Sequence, residues 1–216
     1  MMRPAIIRPT IHIVFSVLAA LAFMTGLTGC ATGGGNVRTW VDDNTAVAVT
    51  AQNRAMVFYR DDFQAGVNIY DFADLGAFEV NQSGVRHQYL CLLLWSTVAR
   101  TPQQQAQVEN AFTSMVVWAD DQPLTFKRFT QNRDMVQLSK AVFKHPSSNA
   151  QESYYEITPA QLTTLAGAKE LRIAPANQAP GEAPYHLWRE EHDGLAAVAA
   201  QISSTQQKIE STSTAQ

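Results

Sequence analysis

The chain has 216 residues, 46% hydrophobic and 16% charged, with 11 Gly and 9 Pro, the composition of one globular domain with tails. Lys and Arg total 16 against 19 Asp and Glu, a formal charge of −3 with no basic stripe, which argues against nucleic-acid binding. Two Cys exclude both a disulfide-stapled scaffold and a paired-Cys zinc site.

The N-terminus carries the strongest signal. Arg3 and Arg8 form a short positive region with no acid nearby, followed by the apolar run Ile13–Met24. That run is shorter than the ~20 residues a spanning helix needs and fits the hydrophobic region of a signal peptide. Leu27-Thr28-Gly29-Cys30 then resembles the lipobox of bacterial lipoproteins. The resemblance implies that the chain is cut between Gly29 and Cys30, so that residues 1–29 are a signal peptide. It further implies that the Cys30 sulfur takes a diacylglyceryl group and that the new amino group takes a fatty acid such as palmitate. Several acyl chains together hold a protein to a membrane where one does not. Ala31, rather than Asp, follows the Cys; in a diderm host, proteins resembling this go to the outer membrane and face the periplasm. Removing residues 1–29 takes away Arg3 and Arg8 and no acid, so surface charge gives no help at an anionic membrane and the lipid must do the anchoring.

Residues 30–36 read as the lipidated Cys and a Gly-rich tether, Ala31-Thr-Gly-Gly-Gly-Asn36. The globular domain is expected over 37–202, and the Ser/Thr/Gln-rich residues 203–216 read as a disordered tail. Within the domain, 45–50, 55–59 and 67–72 are short β-rich runs. Arg86–Val98 is the longest apolar stretch, and nearly continuous Tyr89–Trp95 predicts a strand covered on both faces. Thr101-Pro102 opens a short helix ending at Phe112. Residues 114–118 and 124–129 flank Asp120-Asp-Gln-Pro123 as a hairpin. Residues 137–143 and 153–157 are further candidate strands. Thr158-Pro-Ala-Gln161 has the form of a capping box, with Leu162, Leu165 and Ala166 on one face and Gly167 closing the helix. Residues 170–173 return to strand. A last helix starts near Asp193, its stripe being Leu195, Val198, Ala199 and Ile202. Residues 155–173 resemble a strand–helix–strand pattern of small exported bacterial proteins, which lends no functional residue.

Catalytic motifs are missing. There is no Gly-x-Ser-x-Gly elbow. Cys91 and His87 are four residues apart, which in a strand means the same face but about 13 Å of separation. Cys91 lies among leucines and reads as a buried, free thiol. The segment His186-Leu-Trp-Arg-Glu-Glu-His192 gathers two His and two Glu without a ligand spacing, and neither His87 nor His145 adds one, so no metal or cofactor is expected. Paired acids Asp42-Asp43, Asp61-Asp62, Asp120-Asp121 and Glu190-Glu191 read as turn or solvent-facing residues, since neighbours on a strand point to opposite faces. A calcium site from Asp61, Asp62, Asp71 and Asp74 would need them to converge. Trp95 and Trp118 are expected in the core, while Trp40 and Trp188 could serve core or partner.

Together these features predict one mainly antiparallel β domain, sandwich-like, with two or three short helices; the alternative is an α+β sheet with helices on one face. The functional expectation is a membrane-anchored envelope lipoprotein. Its folded domain would be a non-enzymatic binding or structural module with an envelope protein as partner and membrane lipid bound through Cys30. An envelope hydrolase using scattered Asp, Glu and His, and a small-ligand carrier, are the alternatives.

Overall fold

The computed structural model describes residues 35–64, 67–178, 183–188 and 192–214. Gly29, Cys30, the signal sequence and most of the tether lie outside these residues, as do Glu190 and Glu191. The described residues form ten strands: β1 (Val37–Val41), β2 (Ala48–Gln52), β3 (Met56–Gln64), β4 (Val67–Gln82), β5 (Val85–Ser96), β6 (Ser114–Ala119), β7 (Gln122–Thr130), β8 (Gln151–Glu156), β9 (Leu171–Pro175) and β10 (Tyr185–Leu187). The helices are α1 (Pro102–Ala111), α2 (Pro159–Gly167) and α3 (His192–Thr214). The domain is mainly β, a single antiparallel sheet with short helices, in the sandwich-like manner the sequence predicts.

Strand β4 organises the sheet. One of its edges pairs with β5 over Asp71–Gln82. The other pairs with β3 as far as Leu75 and with β2 from Phe78 onward. At the changeover the Gln52 side chain replaces the missing neighbour, its Oε1 accepting from Ala77 N at 2.5 Å. Followed from β5 through β8, β7, β6, β9, β10 and β3, the pairings return to β4, so eight strands close a ring. Strands β1 and β2 are appended outside that ring.

The inner face holds the larger core: Met56, Phe58, Leu75, Leu90, Leu92, Met115, Val117, Phe126, Tyr155 and Ile173. Helices α2 and α3 press Leu162, Leu165, Leu195, Val198 and Ile202 into the same core. Thr158 and Gln161 form the reciprocal cap expected of them, and Thr101 with Gln104 repeats it on α1. A second core lies on the outer face of β4, β5 and β8, where Phe78, Tyr89, Cys91, Leu93 and Tyr154 are covered by Val136, Leu138, Val142 and Phe143. From Tyr89 to Leu94 strand β5 is therefore continuously apolar, because there it is buried on both sides.

Three features depart from the sequence reading. Residues 137–143 are not a strand. They belong to an irregular strap, 131–150, entered through a 3-10 turn at Arg133–Val136 and bent at Gln137, whose φ is 59°. The apolar residues of the strap insert singly into the outer face instead of alternating beside a neighbour. Secondly, β4 continues to Gln82 because Asp74 and Glu79, which break its apolar pattern, are themselves buried with partners. Thirdly, α3 runs on to Thr214 through the segment read as a tail. Its hydroxyls turn back onto the helix, Ser203 Oγ to Ala199 O at 2.9 Å and Thr205 Oγ1 to Gln201 O at 2.8 Å. No helix of the described residues is long and apolar enough to cross a membrane.

Candidate functional site

Cys91 sits at the centre of β5, on its outer face, fully buried between Gly76 of β4 and Tyr154 of β8. It is free, as the sequence predicts. His87 stays four residues away along the strand and lies against Tyr89. The partner of the thiol is instead Glu152 of β8, whose Oε1 accepts from Cys91 Sγ at 3.7 Å. Glu152 Oε2 accepts from Arg133 Nε of the strap at 2.7 Å, with His145 Nε2 at 3.5 Å. A thiol, a carboxylate and an imidazole are thus brought together, a grouping that no local spacing announces because the strap and β8 supply everything but the Cys.

The electrostatics decide what this group can do. Burial, and then the Glu152 carboxylate, push the Cys91 thiol well above its ordinary range. Burial likewise raises the Tyr154 phenol, with Cys91 and Glu152 adding to it. A nucleophile needs the thiolate, and here the Cys91 thiol and the Tyr154 phenol are both held protonated. The half-buried Arg133 guanidinium pairs with the Glu152 carboxylate, so the cluster is an ion pair that ties the strap to the sheet.

Of the paired acids, Asp43, Asp61, Asp120 and Asp121 are exposed, as the sequence predicts, whereas Asp42 is buried. Asp42 holds its turn, accepting from Asn44 N at 3.1 Å and Thr45 N at 3.3 Å, but does not face solvent: it also accepts from Ser139 Oγ at 2.7 Å and Ser139 N at 2.9 Å, which fastens the end of β1 to the strap. The Ser139 hydroxyl and then its amide hold the Asp42 carboxyl well below the usual carboxylate range. Asp71 and Asp74 are divided between opposite faces of β4. Asp71 bridges Arg100 at 2.6 Å and Arg60 at 3.4 Å, whereas Asp74 accepts from Trp95 Nε1 at 3.0 Å. Asp120 closes the β6–β7 turn and accepts from Lys169 N and Glu170 N, both at 2.9 Å. Among the described residues no three His, Cys, Asp or Glu side chains form a metal-holding group.

One row of rings lies on the outer face of the sheet, from buried Phe72 to exposed His186. His186 on β10, Tyr59 on β3, Phe72 on β4 and Trp95 on β5 occupy one register row across four adjacent strands. Four strands at ~4.8 Å spacing make this row roughly 14 Å long. Phe72 and Trp95 stack at 4.1 Å between centroids. Trp188 leans over the row, 5.0 Å from Tyr59 and 5.3 Å from Phe72, held by its own N–H donating to Val57 O at 2.8 Å. Trp188 keeps 48% of its surface exposed. Trp95 and Trp118, expected in the core, both lie on the outer face and are half-buried. Trp95 packs beside Phe72 and Trp118 beside the Arg172 guanidinium. Elsewhere, a polar cleft of about 190 Å³ lies between α3 and the β1–β2–β4 face, lined by Thr39, Thr50, Arg86 and Thr205. Glu79, at its base, accepts from Arg86 Nη1 and Gln88 Nε2, each at 2.7 Å.

Compared with protein-family models, with curated proteins and with solved structures, the chain finds no match.

Proposed function

We propose that this chain is a bacterial envelope lipoprotein, held by acyl chains on Cys30 at the periplasmic face of the outer membrane, whose domain works by binding an envelope component. The observation that carries the reading is the order Arg3/Arg8, apolar run, Leu27-Thr28-Gly29-Cys30, short Gly-rich tether and folded domain from Val37. Support for binding over catalysis comes from the Cys91 cluster, where the thiol is buried and neutral and the carboxylate is already paired. A carrier function has little support, since Phe58, Phe112, Tyr155 and the leucines fill the inner face. The aromatic row under Trp188 is the surface offered to a partner, because rigid rings give large contact area at small entropy loss.

The test is replacement of the lipidated residue. In cells fed labelled palmitate, the native chain takes up label and runs as the shorter mature form. Cys30→Ala takes up none and accumulates as precursor. A labelled Cys30→Ala chain, cut at the same place, would overturn the reading.

A further inference from the structure

Closure of the ring leaves its eight strands paired on both sides. Strand β1 is different: it pairs with β2 on one side, and no described strand pairs with its other side. The ladder fixes which of its backbone groups are free. Asn53 N donates to Asn36 O, and Asp42 N donates to Val47 O, so the positions bonded to β2 are 36, 38, 40 and 42. The N–H and C=O groups of Val37, Thr39 and Val41 therefore point away from β2. An edge of this kind is a template for another strand unless proline or charge blunts it. β1 has no proline, and its one charge, Arg38, is turned aside, its guanidinium 4.7 Å from the Trp40 ring and donating to Val142 O.

We propose that this edge pairs with β1 of a second copy of the chain, antiparallel, about a two-fold axis through Thr39. The sequence Val37-Arg38-Thr39-Trp40-Val41 singles out that partner because it is self-complementary about its centre. Antiparallel pairing about Thr39 sets Thr39 opposite Thr39, Val37 opposite Val41 and Arg38 opposite Trp40. The first two kinds of pair are the hydrogen-bonded ones, and they use the free groups of 37, 39 and 41. Arg38 and Trp40 fall at the non-hydrogen-bonded positions, where side chains of opposite strands come closest, so each chain's Arg38–Trp40 stack lies beside that of the other. Thr39 and Val41 are exposed and Val37 is partly so, so nothing must unfold to expose the strand. The contact is closed and isologous, giving a dimer and not a filament. Five residue pairs bury less than a standard interface, so the association is weak and depends on concentration. The inference is independent of the lipoprotein reading.

Disulfide trapping in the full-length protein tests it. Paired Thr39 residues would have Cα atoms about 5.5 Å apart, within disulfide range. Thr39→Cys alone should give a covalent dimer under mild oxidant. Val41→Cys alone should not, because two copies of position 41 would lie about 13 Å apart. Mixing Val37→Cys with Val41→Cys chains should restore cross-linking several-fold above either alone. Cross-linking of Val41→Cys as fast as Thr39→Cys, or none from Thr39→Cys in a chain whose melting temperature matches the native one, would overturn the pairing. Should Thr39→Cys disturb folding, Thr39→Lys and Thr39→Glu chains serve instead. Each should be monomeric alone and should associate with the other, and a failure to associate would overturn the pairing equally.

Discussion

At Gly76 the sheet has no room for a side chain. A Cβ built there would clash with the Cζ edge of the Phe143 ring, which the strap seats directly on the β4 backbone. Gly76→Ala should therefore destabilise the domain by about 1–3 kcal/mol, the usual range for overpacking, as read from denaturant unfolding. In a Phe143→Ala background the same change should be much smaller, because the ring it meets is gone; equal effects in both backgrounds would contradict the contact. Asp42 gives a pH test at the same scale. Its carboxyl is held below the usual range by Ser139, so the folded state favours the ionised form. That contribution is fully present above the unfolded carboxylate pKa of about 4 and is lost as pH falls further. The stability gap between the native chain and Asp42→Asn should accordingly be largest near neutral pH and shrink below pH ~4. A gap that widens in acid would contradict the assignment.

The strap is the element on which most else depends. It covers the outer face of β5, and Arg133, Ser139 and Phe143 fasten it at three separate points. In the native protein Cys91 should react with a thiol reagent only at the rate of local opening. Arg133→Ala should speed that reaction several-fold while leaving the unfolded protein's rate unchanged; rapid labelling of the native chain would show that the thiol is not closed in. Legibility in the sequence follows from the range of the forces involved. The cap of α2 was readable because Thr158 and Gln161 act on each other three residues apart. So was β5, because burial on both faces leaves a continuous apolar run. The strap is not legible as such, since Val136, Leu138, Val142 and Phe143 are apolar for a reason that lies in another strand. Glu152 and Arg133 as neighbours of Cys91 could not be read at all, because only the ring of strands brings them together. β10, three residues long, carries no periodicity to detect, yet it completes the row of rings under Trp188.

For the whole molecule, eight strands close on themselves around one filled core, so on the proposed reading the domain should fold without its lipid. Anchoring and folding are thereby separable. On the lipoprotein reading charge would not supply the anchor, because removal of residues 1–29 would leave the domain mildly acidic. The account turns on Cys30, and the intact mass of the protein taken from the envelope tests it most directly. The expected species begins at residue 30, lacks residues 1–29, and carries the mass of a diacylglyceryl group and a fatty acyl chain on its first residue. A chain that retains residues 1–29, or that begins elsewhere with an unmodified N-terminus, would contradict the lipoprotein reading.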